Sequence, residues 1–107
     1  MAFDAQEAAL AVLEQLAPLE AKLKQRRKSL ADEVIRAAES VALNVSEGRQ
    51  RAGLDRPDFY RRAAGSAGEL TTALRIARAR GIISAGEYAA VDVPLDRVRA
   101  MLWRLTH

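Results

Sequence analysis

The chain contains no cysteine. That excludes a disulfide framework, a thiolate nucleophile and any cysteine-based zinc site. Its one histidine is the last residue, His107, a position where chains fray. Histidine-dependent triads and the usual zinc and di-iron constellations are therefore absent. No run of about 18 apolar residues occurs, so no membrane span is expected. The start, Met1-Ala2-Phe3-Asp4, is acidic rather than basic and unlike a signal peptide. Cytoplasm is the expected compartment. Gly65-Ser66-Ala67-Gly68 is too deep in a helical pattern to be a phosphate loop. Asn44-Val45-Ser46 matches a glycosylation sequon, but it also lies in a predicted helix and is set aside. Ser46 and Ser66 have no histidine or lysine placed to activate them. No catalytic residue, metal site or cofactor is assigned, and the chain is expected not to be an enzyme.

Aromatics make up only 5%: Phe3, Phe59, Tyr60, Tyr88 and Trp103. Half of the 107 residues are apolar, and alanine leads among them. Small apolar residues with few aromatics suit close helix packing and give sheets little to work with. The length fits one domain, residues 1–107. Alanine buries little area per residue, so a thin core in a short chain points to self-association.

Periodicity predicts four helices and no strands, joined by short connections into an all-α, antiparallel up-down-up-down bundle. The first runs from about Asp4 to Gln25 on a stripe of Ala9, Val12, Leu13, Leu16, Leu19 and Leu23. Pro18 lies inside it and predicts a kink or break. Ser29, with Asp32 and Glu33 following, predicts the N-cap of the second helix. That helix has one apolar face in Leu30, Val34, Ala37, Val41 and Val45. A second edge holds Ala31, Ile35, Ala38 and Ala42, so either central placement or a covering subunit is expected. Gly48 is expected to end it, before a basic loop from Arg49 to Asp55.

The third helix opens at Asp55-Arg56-Pro57-Asp58. Its core face is read as Phe59, Ala63, Ser66, Leu70, Ala73 and Ala77. Gly65, Gly68 and Thr72 fall on the far side, where two glycines suggest either close approach of another backbone or drift on a solvated face. Gly81 stops the helix after Arg78 and Arg80. Ser84 and Glu87 form a capping box for the fourth helix. The stripe there is Tyr88, Val91, Leu95, Val98, Leu102 and Leu105, with Pro94 predicting a kink or a split and Trp103 at an edge.

The net charge of +3 conceals segregated blocks. Residues 1–20 carry four acids and no base. Lys22, Lys24, Arg26, Arg27 and Lys28 follow. Residues 49–80 hold eight arginines against three acids, among them Arg49, Arg51, Arg56, Arg61 and Arg62. These two basic segments suit a polyanion. Acidic and basic helices neutralising one another within the bundle is the alternative.

Two stretches are more specific than their periodicity. They are Arg36-Ala37-Ala38-Glu39-Ser40-Val41-Ala42-Leu43-Asn44-Val45-Ser46-Glu47-Gly48 and Asp58-Phe59-Tyr60-Arg61-Arg62-Ala63-Ala64-Gly65-Ser66-Ala67-Gly68-Glu69-Leu70. They resemble the signature blocks of the bacterial 23S rRNA intervening-sequence proteins. More remotely, the chain is similar to the accessory variability determinant of diversity-generating retroelements. The resemblance implies a four-helix protomer, a ring-shaped homopentamer and binding of nucleic acid, RNA or DNA. The ten basic residues named from Lys22 to Lys28 and from Arg49 to Arg62 are then the expected backbone contacts. Asn44, Glu47, Ser66 and Glu69 are the expected polar network fixing helix register or a subunit seam. The competing expectation is a structural or adaptor ring that holds a protein partner, its arginines serving intersubunit ion pairs.

Overall fold

A computed structural model describes residues 4–107, so Met1, Ala2 and Phe3 of the acidic start lie outside the described residues. Four helices run in order: α1 Asp4–Arg26, α2 Lys28–Gln50, α3 Arg56–Ala79 and α4 Ala85–Thr106. Among the described residues there is no strand. The bundle measures 43 × 25 × 20 Å.

Contacts between neighbours run in opposite senses. Gln6, early in α1, accepts from Arg49, late in α2, at 3.1 Å. Lys22, late in α1, reaches Glu87, early in α4, at 2.7 Å. Ser40 meets Ser66 at the middle of α2 and α3. The packed pairs are α1–α2, α2–α3, α3–α4 and α1–α4. The helices therefore stand at the corners of a square, with α1 diagonal to α3. The end holding the α1–α2 and α3–α4 connections is called upper below, and the other lower.

Neither proline splits its helix. Pro18 sits on the exposed side of a continuous α1, and Pro94 is buried within a continuous α4. The α1–α2 connection is the single residue Arg27, with extended backbone. Its amide closes α1 on the Leu23 carbonyl at 2.7 Å, and its carbonyl opens α2 by accepting from Ala31 at 2.9 Å. Ser29 is thus already helical and caps nothing, while Asp32 pairs with Lys28 one turn back.

The α3 and α4 boundaries follow the local chemistry read from the sequence. Gly81 takes φ 72°, a left-handed conformation that suits glycine. The Ile82 amide returns to Ala77 and the Gly81 amide to Arg78, the bonds of a Schellman stop. Ile82 and Ile83 then tuck into the core. The Ser84 hydroxyl accepts from the Glu87 amide at 3.0 Å, and the Ser84 amide donates to the Glu87 carboxylate at 2.8 Å.

The core is not thin. Leu16, Leu23, Leu70, Leu74, Leu95 and Leu102 are fully buried, with valines from α2 and α4 between them. Alanines such as Ala31, Ala37, Ala63 and Ala77 let the backbones approach. Most of both apolar edges of α2 is occupied inside the protomer, with Ala31 and Ala38 as buried as Val34 and Val45, while Ile35 and Ala42 remain partly exposed.

Three assignments change. Gly48 does not end α2; it is buried inside it, against the ring of Tyr60. Tyr60, not Phe59, is the aromatic of the core. Leu105 lies at the exposed rim rather than in the α4 stripe.

Candidate nucleic-acid interface

The square arrangement redistributes the basic segments read from the sequence. Residues 22–28 lie at the upper end, and Arg49, Arg51, Arg56, Arg61 and Arg62 at the lower end. The rest of the arginine-rich stretch, Arg75, Arg78 and Arg80, travels up α3 to join the first segment. Arg78 lies over the ring of Tyr88 at 5.5 Å, close to the Lys22–Glu87 contact.

At the lower end most cations are occupied locally. The Arg56 guanidinium donates to the Gly48 carbonyl at 3.0 Å and the Arg49 carbonyl at 3.1 Å, closing the last turn of α2. Arg51 pairs with Glu47 and Asp55. Arg61 pairs with Asp58. Arg49 bonds Gln6. Arg51 and Arg62 lie on the Phe59 ring, each 4.8 Å from its centroid, a cation–π geometry. This explains why Phe59 is only half-buried. Arg62 has no ion pair among the described residues.

At the upper end most of the acids are paired and most of the bases are not. Lys22 holds Glu87, Lys28 holds Asp32 and Arg36 holds Glu33. The Lys22 hydrogen bond, and then the Ser84 amide, draw the Glu87 carboxyl below its ordinary value. Lys24, Arg26, Arg27, Arg75, Arg78 and Arg80 are all exposed and enter no ion pair among the described residues. Glu20, one turn below Lys24, is likewise unpaired. Arg75, Arg78 and Arg80 were not among the residues expected to contact nucleic acid. Their signal was their place at the end of an upward helix.

The expected polar network is only partly assembled. The Ser66 hydroxyl meets that of Ser40 at 2.8 Å. The Asn44 amide donates to the Ser40 hydroxyl at 3.1 Å and the Ser40 carbonyl at 2.9 Å. Ser40, in the middle, was missed. Glu47 and Glu69 are not members: each is half-exposed, with Glu47 on Arg51 and Glu69 on Arg36. Arg36 thus bridges α2 to α3 on the surface, and its hydrogen bonds to Glu33 and Glu69 push its guanidinium still further up. Among the described residues no group of acids and histidines could hold a metal ion, and no helix is long and apolar enough to cross a membrane.

The profile of the 23S rRNA-intervening sequence protein family matches residues 3–104. The fold is also similar to a crystal structure from Bacteroides thetaiotaomicron VPI-5482, described as a protein with unknown function from the S23 ribosomal protein family. The TM-score is 0.86 at 16% identity, over 95% of this chain and 97% of that one. At that identity the likeness carries the fold alone. No curated protein matches the chain.

Proposed function

This chain belongs to the 23S rRNA-intervening sequence protein family, and from that premise we propose that it is a non-enzymatic homo-oligomer that binds the backbone of RNA or DNA through the upper end of its bundle. The observation that carries the reading is the gathering of Lys24, Arg26, Arg27, Arg75, Arg78 and Arg80, without an ion pair among the described residues, at the end where all four helices start or stop. Six exposed cations on a rigid end form a phosphate-binding surface, and such contacts position a polyanion without reading sequence. Tyr88 is the one aromatic nearby, and Arg78 already lies on its ring, so base stacking has no platform there. The pentameric ring and the cytoplasmic location belong to the same proposal and rest on the family likeness.

Binding is tested by titrating structured RNA and duplex DNA at about 50 and 200 mM salt. Affinity should fall by roughly 0.7–0.9 log units per log unit of salt for each phosphate contacted. The variant Arg26→Glu/Arg27→Glu/Arg80→Glu should lose most of the binding and lower the salt slope by about one per cation removed. No binding at low salt overturns the reading. The adaptor alternative is favoured by the lower end, where Arg51 and Arg61 are committed to ion pairs. It predicts that a protein co-purifies with the assembly and that charge reversal leaves nucleic-acid affinity unchanged.

A further inference from the structure

Opposite charges are left unmatched on opposite corners of this bundle. Between Glu7 and Glu20, α1 carries acids and no base. Glu7 and Glu14 are exposed and enter no ion pair among the described residues. Glu7 shares a shallow groove with Arg97 of α4 but makes no bond to it. On α3 the two acids are engaged, Asp58 by Arg61 and Glu69 by Arg36, while Arg62 and Arg75 enter no ion pair among the described residues. Because α1 and α3 are diagonal, these charges cannot reach one another inside a protomer. The neutralisation of acidic by basic helices considered from the sequence therefore fails within one chain for these groups.

We infer that a second copy of the chain supplies the match, docking the lower half of its α1 on the lower half of α3. The inference rests on the self-association part of the proposed function. Gln6 touches Arg49, and Gly48 touches Tyr60. Glu7 therefore lies at the end of the bundle that also holds Arg61 and Arg62. A contact in which both helices run the same way sets Glu7 and Glu14 of one copy against Arg62 of the next, with Arg61, already bonded to Asp58, beside it. An α3-to-α3 contact would instead oppose arginines, and an α1-to-α1 contact would oppose glutamates.

The faces also fit sterically. Leu10, one turn from both Glu7 and Glu14, is 42% exposed on the lower half of α1, and Gly65 and Gly68 are exposed on α3. A Cβ built at either glycine meets nothing of its own chain within 4 Å, which leaves room for a neighbour's helix. The close approach suggested by these glycines is thus absent within the protomer and available between protomers. A contact between two different faces leaves one of each free, so association continues until it closes into a ring or runs on as a filament. Running the helices the same way also keeps every basic upper end on one side of the assembly.

The test is native mass spectrometry and light scattering of the full chain, with helicity followed by circular dichroism. Glu7→Lys/Glu14→Lys and Arg61→Glu/Arg62→Glu should each weaken assembly at least tenfold while keeping helicity. The chain carrying all four substitutions should assemble again, because the charges that face one another across the contact are then exchanged. That rescue separates a lost contact from a misfolded chain. A wild-type assembly that either pair leaves intact, or that the fourfold variant fails to restore, overturns the α1–α3 contact while self-association stands. A monomeric wild type overturns the reading beneath it.

Discussion

Helices α2 and α3 approach closely at Gly48, and this gives a prediction with a definite sign. A Cβ placed there lies 2.7 Å from Tyr60 Cε1, 2.9 Å from Cδ1 and 3.1 Å from Cζ. Tyr60 is 3% exposed, so its ring can retreat only against other core side chains. Gly48→Ala gains about 1 kcal/mol of helix propensity and suffers about 1–3 kcal/mol of overpacking. The net is a loss of up to about 2 kcal/mol. At about 4–8 °C per kcal/mol for a domain near this size, the melting temperature should fall by as much as about 15 °C. The decisive measurement is a double-mutant cycle with Tyr60→Val, read by urea unfolding at fixed protein concentration. Helix propensity cancels in the cycle, so the coupling should return the clash alone, about 1–3 kcal/mol. If Gly48→Ala stabilises the wild type by about 1 kcal/mol, or has the same effect in both backgrounds, the close approach is refuted.

Two further outcomes follow from the same geometry. Pro18 is exposed within an unbroken α1, so Pro18→Ala restores a helix donor and removes a ring clash without disturbing the core. Stability to urea unfolding should rise by up to about 3 kcal/mol, and a measured loss of stability would refute this reading. The Glu87 carboxyl lies below its ordinary value of 4.5 because Lys22, and then the Ser84 amide, bond its charged form. A depressed folded value means that its contribution is present above about pH 4.5 and is lost as acid protonates it. Lys22→Met should move the Glu87 titration upward and flatten the acid limb of the stability curve. Carbon-detected NMR of the side chain checks this, and an unmoved titration refutes the attribution to Lys22.

Much of the fold was legible because the boundaries are local. Gly81 and the Ser84–Glu87 pair act through bonds within a few residues, so their chemistry is written in adjacent letters. The apolar stripes of α1 and α4 were legible for the same reason, since 3.6-residue periodicity needs no partner to be visible. The second helix start was misread because Ser29 is a good cap in isolation. A one-residue connection leaves it no room to act as one, as Arg27 already serves both helices. Gly48 was misread as a stop because its reason lies across the bundle, at Tyr60, twelve residues on. The expected Asn44, Glu47, Ser66 and Glu69 network was half right. Helical spacing puts Asn44 one turn from Ser40 and faces Ser40 to Ser66, but Glu47 and Glu69 find nearer arginines on the surface.

Sequence alone determined that this chain is four helices without cysteine, and that its charge is held in blocks. Those are properties of composition and of intervals shorter than a helix. Only the tertiary structure decided which blocks meet. Alternating helix direction carries Arg75, Arg78 and Arg80 up to Lys24, Arg26 and Arg27, and leaves Arg49 to Arg62 at the far end, closing a loop. The square section separates the acids of α1 from the arginines of α3 across a diagonal. Chain direction and corner position are set by packing between helices, so no reading along one helix at a time could supply them.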